Sequence, residues 1–256
     1  MSRRITVVTG PMRSGTSCVT GMLEVCGLRL GENVRVLRKK TPSNPKGHLE
    51  PDLLFVINQR LLCETPGDEW HMFNVPEEKD MSTLADQRSR YFQLFIRKFD
   101  GEVCKDPLLS LTLPYWERHW KELDRAIFCL RHPAAVSRSM QARYGITWSQ
   151  ALDTWHLYTE RFFGARKRSR VFIFDFEELS KAPADSMIRL LRWMGRPIDE
   201  ESVARAVGDF YEPRYLHTRP NEMESVELPD HVRSLYERLK RLSGPLENAE
   251  RNNTAF

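Results

Sequence analysis

Residues 7–17 read VVTGPMRSGTS. A β-branched run gives way to a Gly, a Pro and a cluster of small hydroxyl residues. Gly10 and Gly15 have the spacing of the phosphate loop G-x-x-x-x-G-K-[ST], but Thr16 stands where that loop has its lysine. The cation inside this loop is Arg13. A loop of this kind at a helix start offers backbone N–H groups that have no intrahelical partner and carry a partial positive charge. A Gly-rich turn lets them converge on an oxyanion. Ser14, Thr16 and Ser17 add hydroxyls, and Arg13 adds a planar guanidinium that can grip phosphate oxygens. Triphosphate chemistry uses the lysine on the β/γ-phosphates and the next hydroxyl on Mg²⁺. The lysine is missing here, although Ser17 keeps the hydroxyl position, so the triphosphate support is lost and the loop reads as a holder of a 5′-phosphate with no required metal. The plain alternative is an ordinary strand–turn–helix corner.

Such a loop needs a strand before it and a helix after it, and the flanks supply both. Ile5–Val8 is a short apolar run suited to a buried parallel strand. Val19, Met22, Leu23 and Cys26 then fall on one helical face, and Gly27 is placed to end that helix. Residues 31–50 read as an extended, Pro-containing loop, 51–63 as a helix, 64–80 as irregular and 82–99 as a second helix. Glu102–Lys105 and Ala126–Leu130 read as strands, the latter followed by Arg131-His132-Pro133 and a helix to about Arg143. A long helix carries Trp148, Leu152, Trp155, Thr159 and Phe162 on one face, with both tryptophans assigned to the core. Val171–Phe174 is a further strand, and Met187, Leu190, Leu191 and Met194 form a helix stripe ending at Gly195. Strands alternating with helices imply an α/β chain with a central parallel sheet and helices on both faces. Residues 1–245 read as one domain and 246–256 as a flexible polar tail.

Three segments together resemble sulfotransferases that use 3′-phosphoadenosine 5′-phosphosulfate (PAPS). Arg13-Ser14-Gly15-Thr16-Ser17 resembles the 5′-phosphosulfate loop of that family. Arg131-His132-Pro133-Ala134-Ala135-Val136-Ser137-Arg138-Ser139 resembles its second signature, in which an Arg ends a strand and a Ser eight positions later joins it on the 3′-phosphate. Phe174-Asp175-Phe176-Glu177-Glu178-Leu179 is similar to the family's Tyr-Glu-Asp-Leu segment, with Phe176 at the Tyr position. The resemblance implies the P-loop NTPase-like sulfotransferase fold, PAPS as sulfuryl donor, and Arg13, Ser14, Gly15, Thr16, Ser17, Arg131 and Ser139 as donor-binding residues.

It also implies where the transfer is carried out. Sulfuryl transfer is an in-line displacement of a phosphate leaving group, aided by fixed cations. Arg13 is one such cation, and Lys105 in Cys104-Lys105-Asp106-Pro107 resembles the family's lysine near the acceptor. Cytosolic small-molecule members place a His two residues after that lysine, where this chain has Pro107. Carbohydrate and tyrosylprotein members use a Glu from the region after the first helix, which points to Glu50 in Asn44-Pro45-Lys46-Gly47-His48-Leu49-Glu50. Glu50 could equally be a first-turn carboxylate beside Pro51; His48 and Asp106 are the other candidate bases. Arg38, Lys39, Lys40 and Lys46 cluster in one loop and would suit an anionic acceptor, or form a solvated basic face. Arg214, His217 and Arg219 lie where the family closes a loop over the 3′-phosphate, without its Arg-Lys-Gly motif.

The composition fits this reading. The chain has 256 residues, 41% hydrophobic and 29% charged, with a net charge of +4. That is enough for a substantial core but too weakly basic for a nucleic-acid stripe. Cys18, Cys26, Cys63, Cys104 and Cys129 have no ligand spacing and read as reduced, mostly buried thiols rather than a zinc site. No signal peptide or membrane anchor is visible, which suggests a cytoplasmic enzyme of the soluble bacterial type. The acceptor would be a small molecule or carbohydrate, with the hydroxyl on a saccharide, lipid or secondary metabolite, and its pocket is expected from the loops at 31–50, 64–80 and 140–150. Two other classes stay open: a P-loop nucleotide or small-molecule kinase, and a non-catalytic nucleotide-binding protein.

Overall fold

The computed structural model describes residues 4–41, 46–63, 72–165, 168–212 and 226–246. Five strands form one sheet in the order β2-β1-β3-β4-β5. They are β1 (Ile5–Thr9), β2 (Val103–Lys105), β3 (Leu123–Leu130), β4 (Arg170–Asp175) and β5 (Gly244–Pro245). The first four run parallel, and β5 adds a two-residue antiparallel edge.

Strand alternation divides the apolar residues between two layers. Ala126, Phe128 and Leu130 of β3, with Val171 and Ile173 of β4, face a large core. That core is closed by α2 (Asp52–Leu62), α4 (Ser89–Lys98), α5 (Leu109–His119), α6 (Pro133–Tyr144), α7 (Trp148–Gly164) and α11 (Asp230–Arg241). Ile127, Cys129, Phe172 and Phe174 face the opposite layer. It is formed by α1 (Thr16–Val25), the short α8 (Phe176–Lys181), α9 (Pro183–Trp193) and α10 (Glu200–Phe210). The mostly parallel α/β architecture expected from the sequence is therefore present.

Several elements depart from expectation. The stretch expected as one helix over 82–99 is two, α3 (Glu78–Gln87) and α4, broken at Arg88. No Gly or Pro marks that break; the Arg88 side chain turns to donate to the Arg60 carbonyl at the end of α2. Helix α5 lies outside the sequence expectations and carries Pro114 inside it. It persists because Leu109, Leu111, Leu113 and Trp116 are all buried, which outweighs the missing N–H. Helices α10 and α11 also lie outside the sequence expectations, although Val232, Leu235, Tyr236 and Leu239 of α11 have regular i, i+3, i+4, i+7 spacing. Trp155 is fully buried and Trp148 packs on the same core, as expected. Of the cysteines, only Cys104 and Cys129 are buried; Cys18, Cys26 and Cys63 are half-buried, and all five are free thiols. The tail from 247 onward lies outside the described residues.

The sheet order fixes where a ligand can enter. The chain leaves β1 toward β2 on one side, then crosses to β3 on the other. The carboxyl end of β1 is thus a switch point, where the following loops diverge and open a crevice. The loop at 10–15, Lys105 and Arg131 all follow strand ends at this crevice.

Candidate active site

The 10–15 loop is held from beneath by α5. Thr9 Oγ1 reaches the Asp106 carbonyl at 3.0 Å and Ser110 Oγ at 3.0 Å, and the Gly10 N–H donates to Ser110 Oγ at 3.1 Å. Gly10 has φ 140°, and a Cβ there would lie 2.6 Å from the Cys129 carbonyl. Gly15 has φ 91° and begins α1; a Cβ there would lie 2.2 Å from the Phe176 ring. Both positions therefore require glycine. Arg13 itself takes a left-handed backbone, φ 69°, a strained geometry for a side chain that reaches into a site.

A second corner forms where β3 ends. The Arg131 guanidinium donates to the Arg13 carbonyl at 3.0 Å, and Arg13 Nε donates to Ser139 Oγ at 3.0 Å. Trp155 Nε1 donates to the Arg131 carbonyl at 3.2 Å and fixes the backbone. Arg131 lies 5.0 Å from the centre of the Phe176 ring, so the residue at the family's Tyr position supplies a cation–π face. Phe176 is set by Asp175, which caps α8 by accepting from the Glu177 and Glu178 N–H groups. Burial weakens the hold of Arg13 and Arg131 on their protons, and Arg13 adds to the effect on Arg131 as a like charge. Two desolvated guanidinium groups in one corner favour an anionic ligand.

Across the crevice lies a buried ion pair. Lys105 Nζ donates to a Glu50 carboxylate oxygen, to Ser17 Oγ at 3.0 Å and to the His48 carbonyl at 3.0 Å. The Lys105 and Glu50 side chains are 2% and 8% exposed. Oε1 of Glu50 takes the lysine, while buried Oε2 has no hydrogen-bond partner. Glu50 precedes α2, whose N-cap is Pro51 with no side-chain cap, so its carboxylate serves Lys105 rather than the helix end.

Asp106 backs this pair. Asn58 Nδ2 donates to its Oδ2 at 2.8 Å, and the Leu108 N–H donates to its Oδ1 at 2.9 Å. The Asn58 amide has one possible orientation, because Trp116 Nε1 donates to its Oδ1 at 2.7 Å. Burial, reinforced by Glu50, pushes the Asp106 carboxyl up to about 7. Burial moves His48 the other way, toward the neutral imidazole.

These parts line one cavity of about 370 Å³. The sequence-derived residues Arg13, Gly15, Thr16, Ser17, Glu50, Lys105, Arg131 and Ser139 all border it, as do His48 and Asp106. Ser14 does not: its side chain is fully buried beside Gly10, and its Oγ has no partner. The basic loop is divided. Arg38 pairs with Glu24 and, like Lys39 and Lys40, is exposed and outside the lining, whereas Lys46 borders the cavity in a 2.7 Å ion pair with Glu212. Arg214, His217 and Arg219 lie outside the described residues. Sequence reasoning missed Asn58, Phe55, Cys18, Phe210 and Tyr211. Only α10 offered a signal for the last two, in its Val203/Val207 spacing, and that helix was itself unexpected. Burial raises the half-buried Cys18 thiol to about 12, which keeps it protonated and unreactive. Among the described residues, no group of three or more His, Cys, Asp or Glu is arranged to hold a metal ion. None of the described helices is long and apolar enough to cross a membrane.

Neither protein-family models nor curated proteins match this chain. Solved structures do. The sulfotransferase STF9 from Mycobacterium avium superimposes with a TM-score of 0.58 at 17% identity, covering 94% of this chain and 76% of that one. The sulfotransferase domain from the curacin biosynthetic pathway gives 0.55 at 16%, covering 96% and 99%. The sulfotransferase STF1 from Mycobacterium tuberculosis H37Rv gives 0.54 at 15%, covering 93% and 77%. At these identities the likeness is one of architecture: a mostly parallel sheet between helical layers, with a phosphate-loop corner at the switch point, gives this chain the P-loop-like fold of bacterial sulfotransferases.

Proposed function

We propose that the chain is a sulfotransferase that moves a sulfuryl group from PAPS to an acceptor hydroxyl, without a metal. The observation that carries this reading is one cavity with two cationic corners, joined by the Arg13–Ser139 hydrogen bond, facing a buried carboxylate–lysine pair. A donor with phosphates at both its 5′ and 3′ ends matches two corners; a donor with one phosphate group leaves Arg131 without its anion. The architecture shared with the sulfotransferases supports the same reading.

PAPS, when bound, supplies a sulfuryl group on a phosphate leaving group. Arg13, Gly15, Thr16 and Ser17 would hold its 5′-phosphosulfate at the start of α1, and Arg131 and Ser139 its 3′-phosphate. Ser14 would act from below, through the shape of the loop. In the transfer, the acceptor oxygen bonds to sulfur as the sulfur–phosphate oxygen bond breaks, and the electron pair leaves on the phosphate. Arg13, Lys105 and the N-terminus of α1 offset that charge. Glu50 takes the hydroxyl proton on Oε2, the oxygen that Lys105 leaves unengaged.

Titration calorimetry with 3′-phosphoadenosine 5′-phosphate (PAP) in EDTA tests this directly. Binding that is retained in EDTA and collapses when AMP replaces PAP is the expected result. A preference for ATP–Mg²⁺, or no binding of PAP, would remove the reading.

A further inference from the structure

We infer that the acceptor is an uncharged alcohol carried on an apolar chain or ring, not a saccharide and not an anionic sugar. This rests on the sulfotransferase reading and narrows it. The two ends of the cavity differ in chemistry. Arg131, Phe176, Lys46 and Glu212 border the end assigned to the nucleotide. The rest of the lining has the polar His48, Tyr144 and Arg143, alongside apolar side chains from Leu37, Phe55, Met72, Leu108 and Met12.

Four of these are fixed by backbone bonds next to the reacting groups. Leu37 is laddered against Glu50: its N–H donates to the Glu50 carbonyl at 2.8 Å, and the Leu49 N–H donates to the Leu37 carbonyl at 2.7 Å. Phe55 stands in the first turn of α2, its N–H bonded to the Pro51 carbonyl at 3.0 Å. Leu108 is tied to Asp106. Met72 is anchored by Tyr158, whose hydroxyl donates to the Met72 carbonyl at 3.0 Å. Met12 completes the wall beside Arg13.

A saccharide needs a polar partner for most of its hydroxyls, or it pays their desolvation uncompensated. The polar atoms at this end are largely taken: the Lys105 ammonium has three acceptors, and Asp106 accepts at both oxygens. An anionic acceptor would meet the Glu50 carboxylate at the reacting centre. The nearest cation, Lys105, is already held by three acceptors, Glu50 among them. Arg143 is exposed at the rim, Lys39 and Lys40 are outside the lining, and Lys46 is paired with Glu212.

The test is a chain-length series. Sulfonation of straight-chain primary alcohols from butanol to decanol is followed by PAP release, with methyl glucoside and glucuronate as competing classes. The expected result is a kcat/KM that rises about two- to fourfold per methylene until the wall is filled, with both sugars far below the longer alcohols. Phe55→Gln should lower kcat/KM for decanol more than for butanol. A flat series, a preference for either sugar, or sulfonation of none of the alcohols by a protein that binds PAP would overturn the acceptor inference alone. Absence of PAP binding would overturn the sulfotransferase reading beneath it.

Discussion

The Lys105 ammonium has three hydrogens and three acceptors: Ser17 Oγ, the His48 carbonyl and Glu50 Oε1. This makes the lysine a fixed charge rather than a mobile one, and it leaves Glu50 Oε2 without a hydrogen-bond partner. A glutamine at 50 keeps the shape and an acceptor for Lys105 but cannot take a proton. Glu50→Gln is expected to lower kcat by about 10²- to 10⁴-fold while PAP binding is retained, read by turnover and calorimetry on the same preparation. Equal loss in both measurements would mean that Glu50 holds the site together and does not act in the transfer. Gly15 is constrained from the opposite side, where the Phe176 ring fills the space of a Cβ and also faces Arg131. One aromatic ring thus couples the glycine loop to the Arg131 corner.

At the scale of elements, α5 is the support on which the phosphate loop rests. Ser110, in its first turn, accepts the Gly10 N–H and meets Thr9, while Asn58 of α2 connects Trp116 in α5 to Asp106 after β2. Removal of the Ser110 hydroxyl leaves the buried Gly10 N–H without that acceptor. Ser110→Ala should destabilise the protein by about 1–3 kcal/mol, seen as a lower melting temperature. An unchanged melting temperature would show that the loop finds another acceptor. Helix α6 does a related job for the second corner: it begins directly after Arg131 and carries Ser139, so a single element sets their separation.

For the whole molecule, the carboxyl groups buried behind the cavity tie stability to pH. Asp106 is pushed to about 7 by burial, so between the ordinary carboxylate range and about pH 7 the folded chain keeps a proton that the unfolded chain has lost. Its contribution is therefore full at low pH and declines as pH rises through that window. Asp106→Asn removes this titration. The melting temperature of the variant relative to the parent should rise between about pH 4.5 and pH 8. Glu177, also raised to about 7 by burial, is present in both proteins and should largely cancel in the comparison. A constant difference across that range would show that Asp106 is ionised in the fold throughout.

The phosphate loop and the Arg131–Ser139 spacing were legible in the sequence because each is local. One strand, one turn and one helix fix the first, and one strand end with its following helix fixes the second. Four core strands and helices α1, α2, α6, α7 and α9 were legible for the same reason, through short-range apolar periodicity, whereas α10 and α11 were not read. Helix α5 was not read either; its Pro114 carries a cost that only burial can offset, and the break at Arg88 has no local signal. What the tertiary structure alone decided is which distant parts meet. Glu50 lies 55 residues from Lys105, Asn58 lies 48 from Asp106, and Arg13 lies 126 from Ser139. The sheet order β2-β1-β3 brings their strand ends to one crevice, and the side chains then settle the pairing by burial and hydrogen bonding. Leu37 and Met72 come from the 31–50 and 64–80 stretches that the sequence pointed to for an acceptor pocket, whereas Phe55 of α2 and Leu108 join them only once the chain is folded.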